Sequence, residues 1–139
     1  MGGPLLIDTD ARRVITCLTR TVGEARVPDG ITEIGDWAFY GCSELTDIRF
    51  PDTLNRIGEG GLNACMACQR LSLPEGLTAL GSLAMADCFL LETVELPGTL
   101  MQIGEGILDG CESLVLVTVE PGSAAEAYCL ANGLPAQTR

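Results

Sequence analysis

The 139-residue chain contains no histidine. That removes the Ser-His-Asp and Cys-His nucleophile systems, the HExxH zinc site and the zinc finger built on paired cysteines and histidines. Lysine is also missing, so arginine supplies all 8 basic groups against 19 acidic ones, for a net charge of −11. Residues 1–71 hold 7 basic and 10 acidic groups and residues 72–139 hold 1 and 9, so the second half carries −8 of that charge. Such a field repels phosphate backbones and anionic membrane surfaces, which excludes nucleic acid as a partner. No run of 18 apolar residues occurs, so no segment reads as a membrane-spanning helix. The segment from Met1 to Asp8 has neither a basic start nor a long apolar run and does not read as a signal peptide. What remains is a globular composition, 47% apolar and 19% charged, at a length that suits one domain over residues 1–139.

A step of 23 residues organises the chain. Prolines fall at Pro28, Pro51, Pro74 and Pro97, glycines at Gly35, Gly58, Gly81 and Gly104, and cysteines at Cys42, Cys65, Cys88 and Cys111. Apolar positions keep the register: Ile34, Ile57, Leu80 and Ile103, then Ile48, Leu71, Val94 and Val117. A fixed period of this size is the mark of a solenoid, in which each unit buries its apolar face against its neighbours. Within a unit, Ile48 and Phe50 alternate with Asp47 and Arg49, which predicts a short strand buried on one face. Proline ends that strand, a turn such as Pro28-Asp29-Gly30 follows, and the stretch Asp36–Cys42 has the length of one to two helical turns. Each unit therefore reads as strand, turn, short helix and return.

The ends depart from the period. Residues 4–8 and 13–18 flank Thr9-Asp10-Ala11, which predicts a β-hairpin covering the first open edge within a cap of residues 1–27. Four repeats occupy residues 28–120. Over residues 121–139, Ser123-Ala124-Ala125-Glu126 opens a capping box, and Asn132-Gly133 with Pro135 closes a helix. Its apolar stripe is read as Ala124, Ala127, Tyr128 and Ala131. With a cap at either end, the chain reads as a complete folding unit.

The unit from Pro28 through Ile34-Gly35, Ala38-Phe39, Cys42, Leu45 and Ile48 to Phe50 resembles the BspA-like class of leucine-rich repeat, over residues 28–119. The resemblance implies an α/β repeat solenoid, a right-handed coil with a short parallel β-sheet on one face, an N-terminal hairpin cap and a C-terminal helical cap. It also implies a bacterial or protist protein, commonly secreted or displayed at the cell surface and used for adhesion or protein binding, with no catalytic residues to carry over; no cofactor is expected. With no export signal or anchor in this chain, a cytoplasmic location stays open. One alternative is a purely structural end segment of a larger surface protein. A more remote one is a thiol oxidoreductase using Cys65-Met66-Ala67-Cys68.

Against the oxidoreductase, Cys65 and Cys68 occupy the cysteine and leucine positions of the repeat and should point inward as small hydrophobes. No second CxxC exists to complete a metal site. The stacked cysteines are expected as free buried thiols, because parallel side chains hold their Cβ atoms too far apart for disulfides. Asp29, Asp52 and Glu75 form a row that reads as turn chemistry on a solvated edge rather than a calcium site. Partner binding is expected on the outward sheet positions, around Arg26, Asp47, Arg49, Arg70 and Glu95, where arginines suit bidentate contacts to carboxylates. A second candidate is an apolar strip of Met66, Phe89 and Leu90, at positions that are polar in the end units. Trp37 and Tyr40, found only in the first unit, are expected against the hairpin.

Overall fold

In the computed structural model, which describes residues 4–18 and 20–139, an N-terminal hairpin is formed by β1 (Leu5–Asp8) and β2 (Arg13–Cys17). Each coil then adds one longer strand and one of two residues. These are β3 (Gly23–Arg26) and β4 (Glu33–Ile34), β5 (Leu45–Arg49) and β6 (Arg56–Ile57), β7 (Arg70–Ser72) and β8 (Ala79–Leu80), and β9 (Thr93–Glu95) and β10 (Gln102–Ile103). The chain finishes with β11 (Leu116–Val119), helix α1 (Ala124–Ala131) and β12 (Ala136–Thr138). The result is a leucine-rich-repeat solenoid of about five turns. Residues 1–3 and Thr19 of the expected N-terminal cap lie outside the described residues.

The expected sheet of longer strands is present, but a second ladder runs beside it. The two-residue strands pair in the order β1-β2-β4-β6-β8-β10, parallel except for the antiparallel hairpin. The hairpin thus covers the first edge of this second ladder and leaves β3 as the edge of the other. The longer strands form a pair, β3-β5, and a four-stranded sheet, β7-β9-β11-β12. Between the ladders lies a core in which Ile34, Phe39, Leu45, Leu54, Ile57, Leu62, Leu77, Met85, Leu91 and Leu96 are fully buried. Each such side chain contributes about 1.5–3 kcal/mol relative to leaving it exposed.

The stretch expected as a short helix is a run of turns instead. In the first unit, Trp37, Phe39 and Gly41 donate their N–H groups to Glu59, Gly61 and Asn63 of the next coil, at 2.8, 2.8 and 3.2 Å. Those donors are therefore lost to an α-helical pattern, and coil-to-coil bonding wins. The path also needs left-handed backbone at two stacked positions. Trp37, Gly60, Leu83 and Gly106 occupy the first, with φ of 57–64°, and Gly41, Ala64, Asp87 and Gly110 the second.

The glycine row holds the coils close together. A Cβ on Gly58 would sit 2.2 Å from Asp36 Oδ1, and one on Gly81 or Gly104 would fall 2.4 or 2.3 Å from a backbone nitrogen of the preceding coil. Superposed on the 23-residue step is an alternation over two units. Thr53 and Thr99 each accept from a glycine N–H of the coil before, Gly30 and Gly76, at 3.1 Å, and donate to Ile31 and Leu77 carbonyls at 2.7 Å. Asp36 and Ser82 accept from the N–H groups of Glu59 and Glu105. Trp37 lies over Gly60, and Leu83 reaches over Gly106. Trp37, expected against the hairpin, thus covers a glycine of the following coil, with Tyr40 edge-on to it at 5.6 Å.

The C-terminal helix forms where its caps predict. Ser123 Oγ accepts from Glu126 N–H, and the Glu126 carboxylate turns back to Gly122 N–H rather than to Ser123's own. Gly133, at φ 66°, ends the helix, and Leu134 N–H reaches back to Cys129 O. The expected stripe needs correction, because the buried residues are Ala125 and Cys129, while Ala124, Ala127 and Ala131 are exposed. Alanines lie all round this helix, so the larger Cys129 sets its face, with Tyr128 half-buried and its hydroxyl accepting from Ile107 N–H.

Candidate functional site

The outward residues of the longer strands stand in register across the coils. Glu24 pairs with Asp47 and Arg26 with Arg49 between β3 and β5; Arg70 pairs with Thr93 and Ser72 with Glu95 between β7 and β9. Electrostatically these groups differ. Arg49 Nε lies 3.0 Å from Glu24 and 3.1 Å from Asp47, and the two carboxylates raise its affinity for its proton. Glu95 accepts from Ser72 Oγ at 2.5 Å and faces Arg139 at 3.8 Å, while Arg139 also holds Glu120 at 2.6 Å. A separate ion-pair row, Arg13–Glu33–Arg56, ties the hairpin to the short-strand ladder. Among the described residues, Arg26 and Arg70 have no carboxylate within ion-pair distance.

The face is not continuous. Where β9 meets β7, Glu92 and Thr93 donate to Gln69 O; where β11 meets β9, Val115 and Leu116 donate to Glu92 O. The equivalent bond from Gln69 to Thr46 O is absent among the described residues, as is the one from Phe50 to Ser72 O, and β5 and β7 share no ladder. This seam coincides with two local departures. Thr46 is the extra residue of a register shift between β3 and β5. Cys68 stands where other units have leucine, and its thiol is drawn to Leu45 O at 3.3 Å. The seam opens into a cleft of about 530 Å³ lined by Thr46, Asp47, Ala67, Gln69 and Arg70. On the other side of Arg70 lies a smaller recess of about 340 Å³, lined by Leu71, Ser72, Thr93, Glu95, Leu116 and Thr118.

Of the residues expected to bind a partner, Arg26, Arg49, Arg70 and Glu95 are exposed and Asp47 half-buried. Asp47 and Arg70 line one cleft, whereas Arg49 is engaged in ion pairs. In the apolar strip Phe89 and Leu90 are exposed by 43% and 50%, while Met66 is half-buried. Thr46 and Gln69 escape the sequence reading, because the strand period places Thr46 on the inward face with Ile48 and the register shift turns it outward; Cys68 in a leucine position is the available signal.

The cysteines are all free, and six of the seven are buried. Cys65, Cys88 and Cys111 donate to Phe39, Leu62 and Met85 carbonyls of the preceding coil at 3.4, 3.3 and 3.1 Å, so the repeated spacing is a thiol-to-backbone ladder. In the CxxC, burial pushes both thiols up, Cys68 to about 11, the reverse of what a redox nucleophile needs. Among the described residues no cluster of three cysteine or acidic side chains is placed to hold a metal, and no helix is long and apolar enough to cross a membrane.

The comparisons with known proteins agree with this geometry. By structure the chain resembles a leucine-rich-repeat protein from Bacteroides ovatus (TM-score 0.72, 23% identity, 84% of this chain and 30% of that one). It also resembles the leucine-rich-repeat protein of T. pallidum (0.64, 23%, 82% and 67%) and a leucine rich cell surface protein from Faecalibacterium prausnitzii (0.66, 21%, 84% and 37%). The chain thus spans about a third of the first and third of these. No curated protein matches it. The family model of the BspA type leucine rich repeat region matches residues 18–132 in six copies, two more than the in-register units, and extends past them at both ends. With that match covering most of its length, the chain belongs to the BspA-type leucine-rich-repeat family.

Proposed function

We propose that this chain is a non-catalytic protein-recognition module of a secreted or surface-displayed bacterial protein, and that its contact face is the long-strand face around Arg70. The family and the cell-surface description of the Faecalibacterium neighbour support the setting. One observation carries the site. Arg70 is an uncommitted guanidinium between two recesses, on a rigid sheet where carboxylate recognition loses little side-chain freedom. The hairpin cap (1–27), the four repeats (28–120) and the helical cap (121–139) act together as one unit.

Affinity capture with the whole chain as bait tests the reading. Extracellular host proteins and lysate of the producing cell are offered to the wild type and to Arg70→Glu, Arg49→Glu and Phe89→Ser. A saturable partner lost with Arg70→Glu, with unfolding midpoints unchanged, is the expected result. Loss only with Phe89→Ser moves the contact to the apolar strip. An empty capture by a cooperatively folded bait favours a structural segment of a larger protein.

A further inference from the structure

The interrupted ladder offers more than a cleft. In the regular interfaces the rung at this height takes two N–H groups onto one carbonyl, as Glu92 and Thr93 do on Gln69 O. At the seam, Gln69 N–H has no backbone partner among the described residues, and the facing edges of β5 and β7 share no ladder. An open N–H and two unladdered strand edges thus lie at the same cleft, a setting in which an extended chain bonds through its main chain. Beside them stands the unpaired Arg70 guanidinium, which takes a carboxylate bidentately. Asp47, the acidic group of the cleft, is paired with Arg49, which it shares with Glu24 at 3.1 and 3.0 Å, so Arg70 is the unpaired cation of the cleft lining. Past Arg70, Leu71 and Leu116 give the smaller recess an apolar lining for a neighbouring side chain.

Resting on the protein-recognition reading, we infer that the seam between β5 and β7 binds an extended acidic peptide segment of the partner. One peptide group of that segment replaces the missing rung at Gln69. A glutamate or aspartate meets the Arg70 guanidinium, and an adjacent aliphatic residue enters the recess over Leu116. Main-chain hydrogen bonds fix the orientation, while Arg70 and the recess select the sequence. The unit that departs most from the repeat is then the one that recognises.

The probe is a phage-displayed library of random heptapeptides panned against the whole chain, followed by amide chemical-shift mapping with the enriched peptides. Expected are sequences with an acidic residue beside an aliphatic one, shifts centred on Gln69 and Arg70, and affinity lowered at least tenfold in Arg70→Ala but not in Arg26→Ala. Cys68→Leu restores the repeat's residue and closes the seam, so it also abolishes binding while the fold persists. The inference is overturned if no peptide is enriched, if enriched peptides lack acidic residues, or if their shifts lie elsewhere. It is equally overturned if binding survives Arg70→Ala. A protein partner captured by the bait and indifferent to both Arg70→Ala and Cys68→Leu would leave the recognition reading standing and remove only this one.

Discussion

At the residue scale, the same 23-residue register imposes different demands on different rows. Gly81 has backbone of the preceding coil where its Cβ would be, with Glu59 N at 2.4 Å and Gly58 C at 2.6 Å. Backbone there cannot move without parting the coils, so Gly81→Ala should cost about 3 kcal/mol, at the upper end of overpacking penalties. Ala64 is the opposite case, since it holds a left-handed φ of 61° at a position occupied by glycine in two other units. Ala64→Gly should gain about 0.5–1 kcal/mol, relief of left-handed strain outweighing the extra freedom of the unfolded chain. Urea midpoints of the two variants, read together, check both signs. The glycine spacing was legible in the sequence, but its cause was not: a regular glycine reads equally as a turn or as a close approach. The two-unit alternation of Gly30 with Thr53 and of Trp37 with Gly60 stands in the sequence as well, repeated at Gly76 and Thr99 and at Leu83 and Gly106.

Elements were legible in proportion to their length. The hairpin, the longer strands and the C-terminal helix leave several periodic residues each. The two-residue strands leave no period at all, because one inward residue such as Ile34 or Ile57 fits a turn as well as a ladder. The helix expected over Asp36–Cys42 failed for a related reason: local length and composition allowed it, and hydrogen bonding between coils overrode it. The seam was hidden because it is a relation between two coils rather than a property of either. Register alone places Cys42, Cys65 and Cys88 in the core, whereas Cys111, expected there too, is half-buried at the last repeat, and the structure grades the reactivity of the thiols. Cys111 is the only one partly exposed, and its thiol is pulled down by the hydrogen bond to Cys88, so it should react first with an aromatic disulfide reagent. Cys65 and Cys68, buried and raised, should react only on unfolding. Mass spectrometry of the partly labelled native protein checks the order, and early modification of the CxxC would revive the oxidoreductase alternative.

For the whole molecule, the thiols make stability depend on pH in a definite sense. Hydrogen bonding to Cys42 pulls Cys17 down to about 7, and Cys111 is lowered as well. A depressed group adds stability above its unfolded pKa of about 9 and loses it as pH falls through the folded one, so stability rises from pH 7 to 9. Five thiols shift the other way. Cys42 and Cys88 are raised by their thiol partners, and Cys65, Cys68 and Cys129 by burial. Above pH 9 the unfolded chain releases these protons while the folded chain keeps them. Stability therefore falls through the alkaline range toward the Cys68 value of about 11. Unfolding midpoints in reducing buffer from pH 7 to 11 should trace a maximum near 9.

The seam also has a mechanical meaning. Rungs between stacked coils lie along the solenoid axis, so tension applied through the two ends pulls them apart in sequence instead of shearing a whole ladder at once. The coil boundary that lacks its long-strand rungs offers the least resistance. Drawn out between a surface and an attached partner, the molecule would part first between β5 and β7, and a peptide seated there would act as a clasp across the weakest joint.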